Sequence, residues 1–503
     1  MRPLALFRCD ASAQIGAGHV SRCLSLAEAL SEAGWTVRFA VSSETPQTVP
    51  EIGKLGFPLH ILGTGDEIGA MRGEAGEAAD LLVIDHYERD ATFEKACRGF
   101  AHKILVFDDM TGRTHDCDVL LDAAASSAEA YRAHVPPHAR VLSGLDYAVV
   151  RHAFRDARAD ALARRDGRPV QNILVSCGAT DPANVTAAAL DALAAWPDMA
   201  VTAVLSSKAP HLQSIRAALR PNVTLKTDVD NMAELMSVAD LAIGTPGASA
   251  YERAVLGLPA ILVTVADNQR GIAQIAIAAG AAADAGGLVG HVCARIGAQL
   301  QRLIENALAR IEIAQASSAL VDGRGAIRVM LELLEASPMR DGSVVRLREA
   351  TMQDMDWLLQ LQRQPETRRH ARNPAAPSPD EHRRWLVATL IDPARLLMIV
   401  ETEAGMAGMI RLDARDGKGR YEVSIAVDSV HHGRGVATAA LGLIRRLMPG
   451  AMFDAEILPS NAASLRLFGG AGYVPVGDGV FRSAPGVAAH DVDRHVRCVP
   501  ARA

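Results

Sequence analysis

No two cysteines in this chain are spaced to hold a metal. The seven stand at 9, 23, 97, 117, 177, 293 and 498, without a Cys-x-x-Cys pair or a Cys/His zinc spacing. An odd, dispersed set fits reduced thiols in a cytoplasm rather than a disulfide framework. Positive charge is not in excess either. Fifty-two Lys and Arg face 58 Asp and Glu, for a net charge of −6 and a pI near 6.3, which argues against a nucleic-acid-binding face. Long apolar runs are missing. The run after Arg2 is too short for a signal peptide. The longest low-charge stretch, 271–290, is rich in Ala and Gly with Asp284 inside it, and reads as packed helix and turn rather than a membrane span. Aromatics are scarce, at 4%. What remains is ordinary soluble composition, with 49% hydrophobic and 22% charged residues and a mean hydropathy of +0.10. A chain of 503 residues exceeds one core, so about two to four domains are expected. The expectation is a cytoplasmic protein with no nucleic-acid or membrane partner.

The first half alternates continuous apolar runs with helical periodicity. Runs at 4–7, 37–41, 81–85, 104–108 and 119–122 read as strands, followed by a second series at 173–176, 201–205, 241–244 and 260–265. Continuous rather than alternating runs suit parallel sheets covered on both faces. The charged, Ala/Arg-rich segment 155–168 reads as the link between two Rossmann-like lobes. Two such lobes place a ligand cleft at the carboxyl ends of their strands. After 337–342 the pattern changes to α+β. Thr351 with Asp354, and Ser378-Pro379 with Glu381, are helix-capping signatures. Strands are expected at 344–349, 397–401, 407–413 and 421–427, the last two joined as a hairpin at 416–419.

The loop between the first strand and first helix is the most informative stretch. Gly16 and Gly18 allow close backbone approach, the helix start offers free N–H groups to an anion, and His19 can move a proton at neutral pH. Other expected strand ends carry polar groups: Asp85-His86-Tyr87, Asp108-Asp109, 176–181 with Gly178 and Asp181, and Asp267-Asn268-Gln269. The turn at Gly247-Ala248-Ser249 opens a helix and can hold a diphosphate, with Glu252 placed to accept from ribose hydroxyls. His19 is the candidate general base, with Tyr87 and Asn268 positioning sugar or water. Competing readings are a His19 that only caps its helix, a Tyr87 that only packs, and an Asp10 that only staples its loop. Asp108 and Asp109 read as structural. No metal is expected.

Together, Arg8-x-Asp10-Ala11-Ser12 with Ile15-Gly16-x-Gly18-His19 and Arg22-Cys23, Asp85-x-Tyr87, Asp108-Asp109, Tyr147 with Arg151 and Phe154, Gly178 with Thr180-Asp181-Pro182-x-Asn184, and Glu252 with Gly257-x-Pro259 and Asp267-Asn268-Gln269 form a specific set. It resembles the pseudaminic acid pathway enzymes that hydrolyse UDP-2,4-diacetamido-2,4,6-trideoxy-β-L-altropyranose, over about residues 2–330. The resemblance implies a GT-B fold, metal-free release of UDP from the anomeric carbon, and substrate-binding roles for Asp10, Gly16, Gly18, Arg22, Tyr147, Arg151, Gly178, Asp181, Gly247, Ala248, Ser249, Glu252 and Gln269. Cys177, Pro246 and Tyr251 depart from the family pattern.

In the last third, Val430-His431-His432-Gly433-Arg434-Gly435-Val436-Ala437-Thr438 follows a strand and opens a helix. Its backbone N–H groups can cradle a pyrophosphate. With Asn461, Ser464 and Gly472-Tyr473 downstream, residues 343–500 resemble a GNAT acetyltransferase of the amino-sugar subgroup. That implies acetyl-CoA as co-substrate, held by the loop and by Asn461 and Ser464. Phe468 stands where a general-acid Tyr is usual. Glu422 can deprotonate a sugar amine through water, or be an outward strand carboxylate. Arg363, Arg368, Arg369, Arg372, Arg383 and Arg384 read as a solvated face or a diphosphate contact.

The expected architecture is therefore α/β, a GT-B unit of two Rossmann-like lobes (1–154 and 155–336) followed by an α+β GNAT domain (343–500). The expected activity is N-acetylation of a UDP-4-amino sugar and hydrolysis of the product. Alternatives are a GT-B glycosyltransferase needing an acceptor, and a GNAT-like domain that only binds CoA.

Overall fold

The continuous apolar runs of the first half all become parallel strands. The computed structural model describes residues 2–483, apart from 13, 77, 126, 289, 340, 372 and 416–418. The expected hairpin turn, Arg372 and the end of the third domain thus lie outside the described residues. The chain divides into two compact units, Pro3–Ala29 with Thr36–Ile327, and Leu30–Trp35 with Arg328 onward. The division falls inside the helix Gly325–Leu333, upstream of the expected 336–343 boundary.

The first unit contains both lobes. Lobe one is a seven-stranded parallel sheet in the order β3-β2-β1-β4-β5-β6-β7. Its strands are β1 (Leu4–Cys9), β2 (Thr36–Val41), β3 (Leu59–Ile61), β4 (Ala79–Asp85), β5 (Ala101–Phe107), β6 (Val119–Asp122) and β7 (Arg140–Ser143). Lobe two is a six-stranded parallel sheet, β10-β9-β8-β11-β12-β13. It comprises β8 (Asn172–Ser176), β9 (Ala200–Leu205), β10 (Val223–Thr227), β11 (Leu241–Gly244), β12 (Ala260–Thr264) and β13 (Ala283–Gly287). Central strands such as β4 and β11 are buried along nearly their whole length, as strands covered on both faces must be. In each sheet the winding reverses at the middle, between β1 and β4 and between β8 and β11. Such reversal points open crevices at the carboxyl ends of the strands.

Two segments of the first unit carry more structure than their sequence reading gave them. The segment read as a linker is the helix His152–Ala163. Arg158 and Arg165 in this segment are part-buried. Arg158 donates to the carbonyls of Ser318 and Val321, and Arg165 to those of Met236, Ala239 and Leu256. These are carbonyls at the ends of neighbouring elements, which cations satisfy well. The stretch 271–290 is only partly helical, since β13 pairs with β12 across a register shift at Leu262/Thr264. The edge strands β3, β7, β10 and β13 escaped sequence reading because edges need no continuous apolar run.

The second unit carries an eight-stranded, largely antiparallel sheet, β14-β15-β16-β17-β18-β19-β21-β20. The strands are β14 (Ser337–Pro338), β15 (Val344–Glu349), β16 (Arg395–Thr402), β17 (Gly405–Arg415), β18 (Arg420–Val427), β19 (Met452–Glu456), β20 (Tyr473–Gly477) and β21 (Val480–Ser483). β17 and β18 are antiparallel neighbours, as expected of a hairpin. Both capping signatures form. Thr351 and Asp354 bond reciprocally, and Ser378 does so with Glu381 at the start of the helix Pro379–Ile391.

Ser378→Ala removes the hydroxyl that accepts from the Glu381 N–H. It is expected to lower the stability of this unit by about 1 kcal/mol, read as a lower urea midpoint with unchanged slope. Ser378→Ala/Glu381→Ala should cost less than the sum of the single changes, since each loses the same reciprocal pair.

Candidate functional site

His19 and Arg22 lie one turn apart on the helix Gly18–Ala33, so both side chains face the same way. They converge on Asp85, the last residue of β4, whose side chain is fully buried. His19 Nδ1 bonds Asp85 Oδ1. Arg22 Nε donates to Asp85 Oδ2 at 2.5 Å and Nη2 to Oδ1 at 2.8 Å. Burial alone would raise the pKa of Asp85, but the Arg22 and His19 side chains outweigh it and hold the carboxyl below the usual range. An ionised Asp85 fixes a proton on His19 Nδ1 and leaves Nε2 as the nitrogen free to accept one.

The cluster continues outward. Arg22 Nη1 donates to Asp109 Oδ2 at 3.1 Å, and Tyr87 OH to the same oxygen at 3.4 Å. Tyr87 packs edge-on against His19, ring centroids 4.5 Å apart. Burial and the Asp109 carboxylate push the Tyr87 phenol up to about 12, so it stays protonated. Asn268, in the short turn Asp267–Gln269 after β12 in lobe two, donates to Tyr87 OH at 3.1 Å. That bond ties the two lobes across the cleft.

The cleft is a cavity of about 680 Å³, large enough for a nucleotide sugar. On its lobe-one wall lie Gly16, Gly18, His19, Arg22, Tyr87 and Arg151; on the other lie Gly178, Asp181, Gly247, Ala248, Ser249, Glu252, Asn268 and Gln269. The structure thus brings together most of the residues expected there. Opposite His19, the helix Ala248–Val255 starts at the cavity wall, and its first N–H groups have no intrahelical acceptor. Burial pushes the Glu252 carboxyl up to about 7, against the pull of Arg253 and Arg151.

Several expected ligand contacts have other partners. Asp10 does not line the cavity. Its oxygens accept from Ser42 N at 2.6 Å, Arg8 at 2.9 Å and His86 at 3.2 Å, so it staples its loop. Tyr147 sits on the short turn Leu145–Tyr147, away from the cavity wall. Asp181 lines the cavity, yet both its oxygens accept backbone N–H groups, from Val185 at 3.0 Å and Thr186 at 2.7 Å. Arg151 is paired with Glu28 and Glu51. Sequence reading gave Asp85 no role of its own and took Asp109 as structural, yet both join the cluster at the cleft wall. The available signal was an acid following each of two adjacent strands, set against a His/Arg pair one turn apart.

In the second unit, β18 and β19 pair in parallel only at Arg420↔Met452, Tyr421↔Phe453 and Glu422↔Asp454. Beyond that vertex the strands part, leaving the backbone groups of Ser424–Val427 on that edge open to an extended ligand. The loop after β18 is shaped for a pyrophosphate. Gly433 and Gly435 take φ of +76° and +94°, conformations that side chains disfavour, and the helix Val436–Leu447 follows with free N–H groups at Val436, Ala437 and Thr438. Asp428 accepts from Val430 N, and His432 Nε2 donates to the Val427 carbonyl at 2.9 Å, which pins the loop to its strand. Arg434 lies between the two glycines. Asn461 caps the helix Ala462–Gly470 by accepting from Ser464 N at 3.0 Å. Phe468 is buried edge-on against Tyr473.

Glu422 lies on β18 at the fork vertex and pairs with Arg415. Arg363 and Arg368 donate to loop carbonyls 377, 373 and 375 and so act within their own segment. Among the described residues no group of three or more His, Cys, Asp or Glu is arranged to hold a metal ion, and no helix is long and apolar enough to cross a membrane.

Two parallel lobes around a cleft, with a histidine–carboxylate pair facing a helix N-terminus, define a GT-B unit, and the forked sheet with its glycine loop defines an acyl-CoA transferase domain. Residues 345–474 match the acetyltransferase (GNAT) domain family, whose co-substrate is acetyl-CoA. The UDP-2,4-diacetamido-2,4,6-trideoxy-beta-L-altropyranose hydrolase of Campylobacter jejuni is 30% identical over 243 residues, 47% of this chain and 83% of that protein. Spore coat polysaccharide biosynthesis protein SpsG of Bacillus subtilis is 29% identical over 259 residues, 50% of this chain and 75% of that protein. An uncharacterised protein of Methanocaldococcus jannaschii is 26% identical over 270 residues, 52% of this chain; the chain spans 55% of that relative's length. The chain belongs to the family of the altropyranose hydrolase and carries a GNAT domain in addition.

Glu252 supplies a pH test. Its folded pKa is raised from 4.5 to about 7, so the stability tied to its protonated form is complete below the unfolded pKa and lost as pH rises through 7. Glu252→Gln is therefore expected to raise the melting temperature of the ligand-free chain at pH 8.5, with little effect at pH 5. Equal shifts at both pH values would show that Glu252 is not desolvated.

Proposed function

We propose that the chain carries out two consecutive steps on one UDP-activated amino sugar. The GNAT domain transfers acetyl from acetyl-CoA to the 4-amino group of a UDP-4-amino-4,6-dideoxy sugar. The amine attacks the thioester carbonyl, the C–S bond breaks and CoA leaves as the thiol. The amine proton goes to water at the fork, where Glu422 can take it once Arg415 is displaced. Phe468 cannot protonate the leaving sulfur, so water does so.

The GT-B unit then hydrolyses the acetylated product to UDP and the free sugar. The arrangement of His19 carries this reading. With Nδ1 held by buried Asp85, Nε2 is the base that deprotonates a water aimed at the anomeric carbon. Tyr87 and Asn268 position sugar and water from the two sides of the cleft. The charge that grows on the β-phosphate is met by the helix start at Gly247–Ser249. A single displacement by water inverts the anomeric centre. Asp85 acts through His19 by fixing its tautomer, as in other carboxylate–histidine pairs.

Incubating the chain with acetyl-CoA and the UDP-amino sugar should release CoA and then UDP, without an added acceptor. UDP release that requires an acceptor would favour a glycosyltransferase, and absence of CoA would leave the GNAT domain a binding module. His19→Ala is expected to slow UDP release by roughly 10²–10⁴-fold with CoA release unchanged. Loss of both would mean that His19 is structural.

A further inference from the structure

Arg253 sits behind the cavity wall at the winding reversal of lobe two, between the ends of β8 and β11. It is 2% exposed. Nη2 donates to the Thr245 carbonyl at 2.7 Å and Nη1 to Ser249 Oγ at 3.1 Å, while Nε is buried without a partner. Among the described residues no carboxylate pairs with it directly; the neighbouring Glu252 carboxyl, itself pushed up by burial, acts on it only through space. Gly244 makes room for it: a Cβ there would lie 2.7 Å from Nη1 and 2.6 Å from the Ser176 carbonyl. A buried guanidinium whose hydrogen bonds all go to neutral acceptors is costly. It is costlier still beside the positive end of the helix Ala248–Val255. Both bonds run to Thr245 and Ser249, which line the cavity. Ser249 Oγ accepts from Arg253, so its own hydrogen is free to donate into the cleft, polarised by the charge behind it.

We propose that Arg253 is a positioning residue whose missing counter-charge is the diphosphate of the nucleotide, reached through Ser249 and the helix start, so that it governs affinity for the charged half of the ligand and not for the nucleoside. This rests on the nucleotide-sugar reading of the cleft. On hydrolysis the diphosphate gains negative charge as the C–O bond breaks, so the same buried cation stabilises the departing UDP.

The test is isothermal titration of the full chain with UDP and with uridine. Arg253→Gln is expected to weaken UDP on the order of tenfold or more while uridine stays within about twofold. Arg253→Lys keeps the charge but not the fork of two bonds, and should hold UDP within about threefold. Parallel loss of UDP and uridine in Arg253→Gln, or loss of neither, would overturn the proposal. Should Arg253→Gln fail to fold, a tenfold loss of UDP in a normally melting Arg253→Lys would also overturn it. A wild-type chain that binds neither ligand would remove the nucleotide reading itself. Undiminished UDP binding by Arg253→Gln removes only the role given to Arg253.

Discussion

Asp85 is the constraint on which the first unit's chemistry depends. A carboxylate with no exposed surface survives in its charged form only because Arg22 and His19 both reach it. Removing either partner would strand a buried charge. The cost of burying it is thus what locks the histidine tautomer, the Arg22 rotamer and, through Asp109, the Tyr87 hydroxyl.

The two lobes use one topological device twice. Each parallel sheet reverses its winding at the centre, and the crevice at each reversal carries the functional groups. In lobe one the reversal holds the carboxylates of Asp85 and Asp109 with His19 and Arg22. In lobe two it holds a helix start with a buried cation behind it, suited to an anion. Under the proposed function, these opposite chemistries across one cleft would set a nucleotide sugar in a single orientation, with its diphosphate on lobe two and its anomeric carbon toward His19. The second unit reaches its site differently, by letting two parallel strands part after three pairs.

Much of this was legible in the chain itself. Continuous apolar runs marked the central strands to within a few residues, because burial on both faces leaves no freedom for polar residues. The capping pairs Thr351/Asp354 and Ser378/Glu381 were legible because their chemistry is local. Edge strands, the helix 152–163 and the partners of Asp10, Asp181 and Glu422 were not. Arginines that satisfy distant carbonyls look like solvated charge when only neighbours in sequence are considered.

The sequence by itself determined which loops carry chemistry, since glycines, a histidine and acids at strand ends need no tertiary information to be noticed. Only the tertiary structure decided which of those acids meet at the cleft wall and which hold the loops. Asp10 and Asp181 spend their oxygens on nearby donors, whereas Asp85 and Tyr87 at the end of β4 and Asp109 after β5 are brought together with His19. The pairing of a residue 66 positions away with His19 is set by sheet order, and sheet order depends on the packing of the whole lobe.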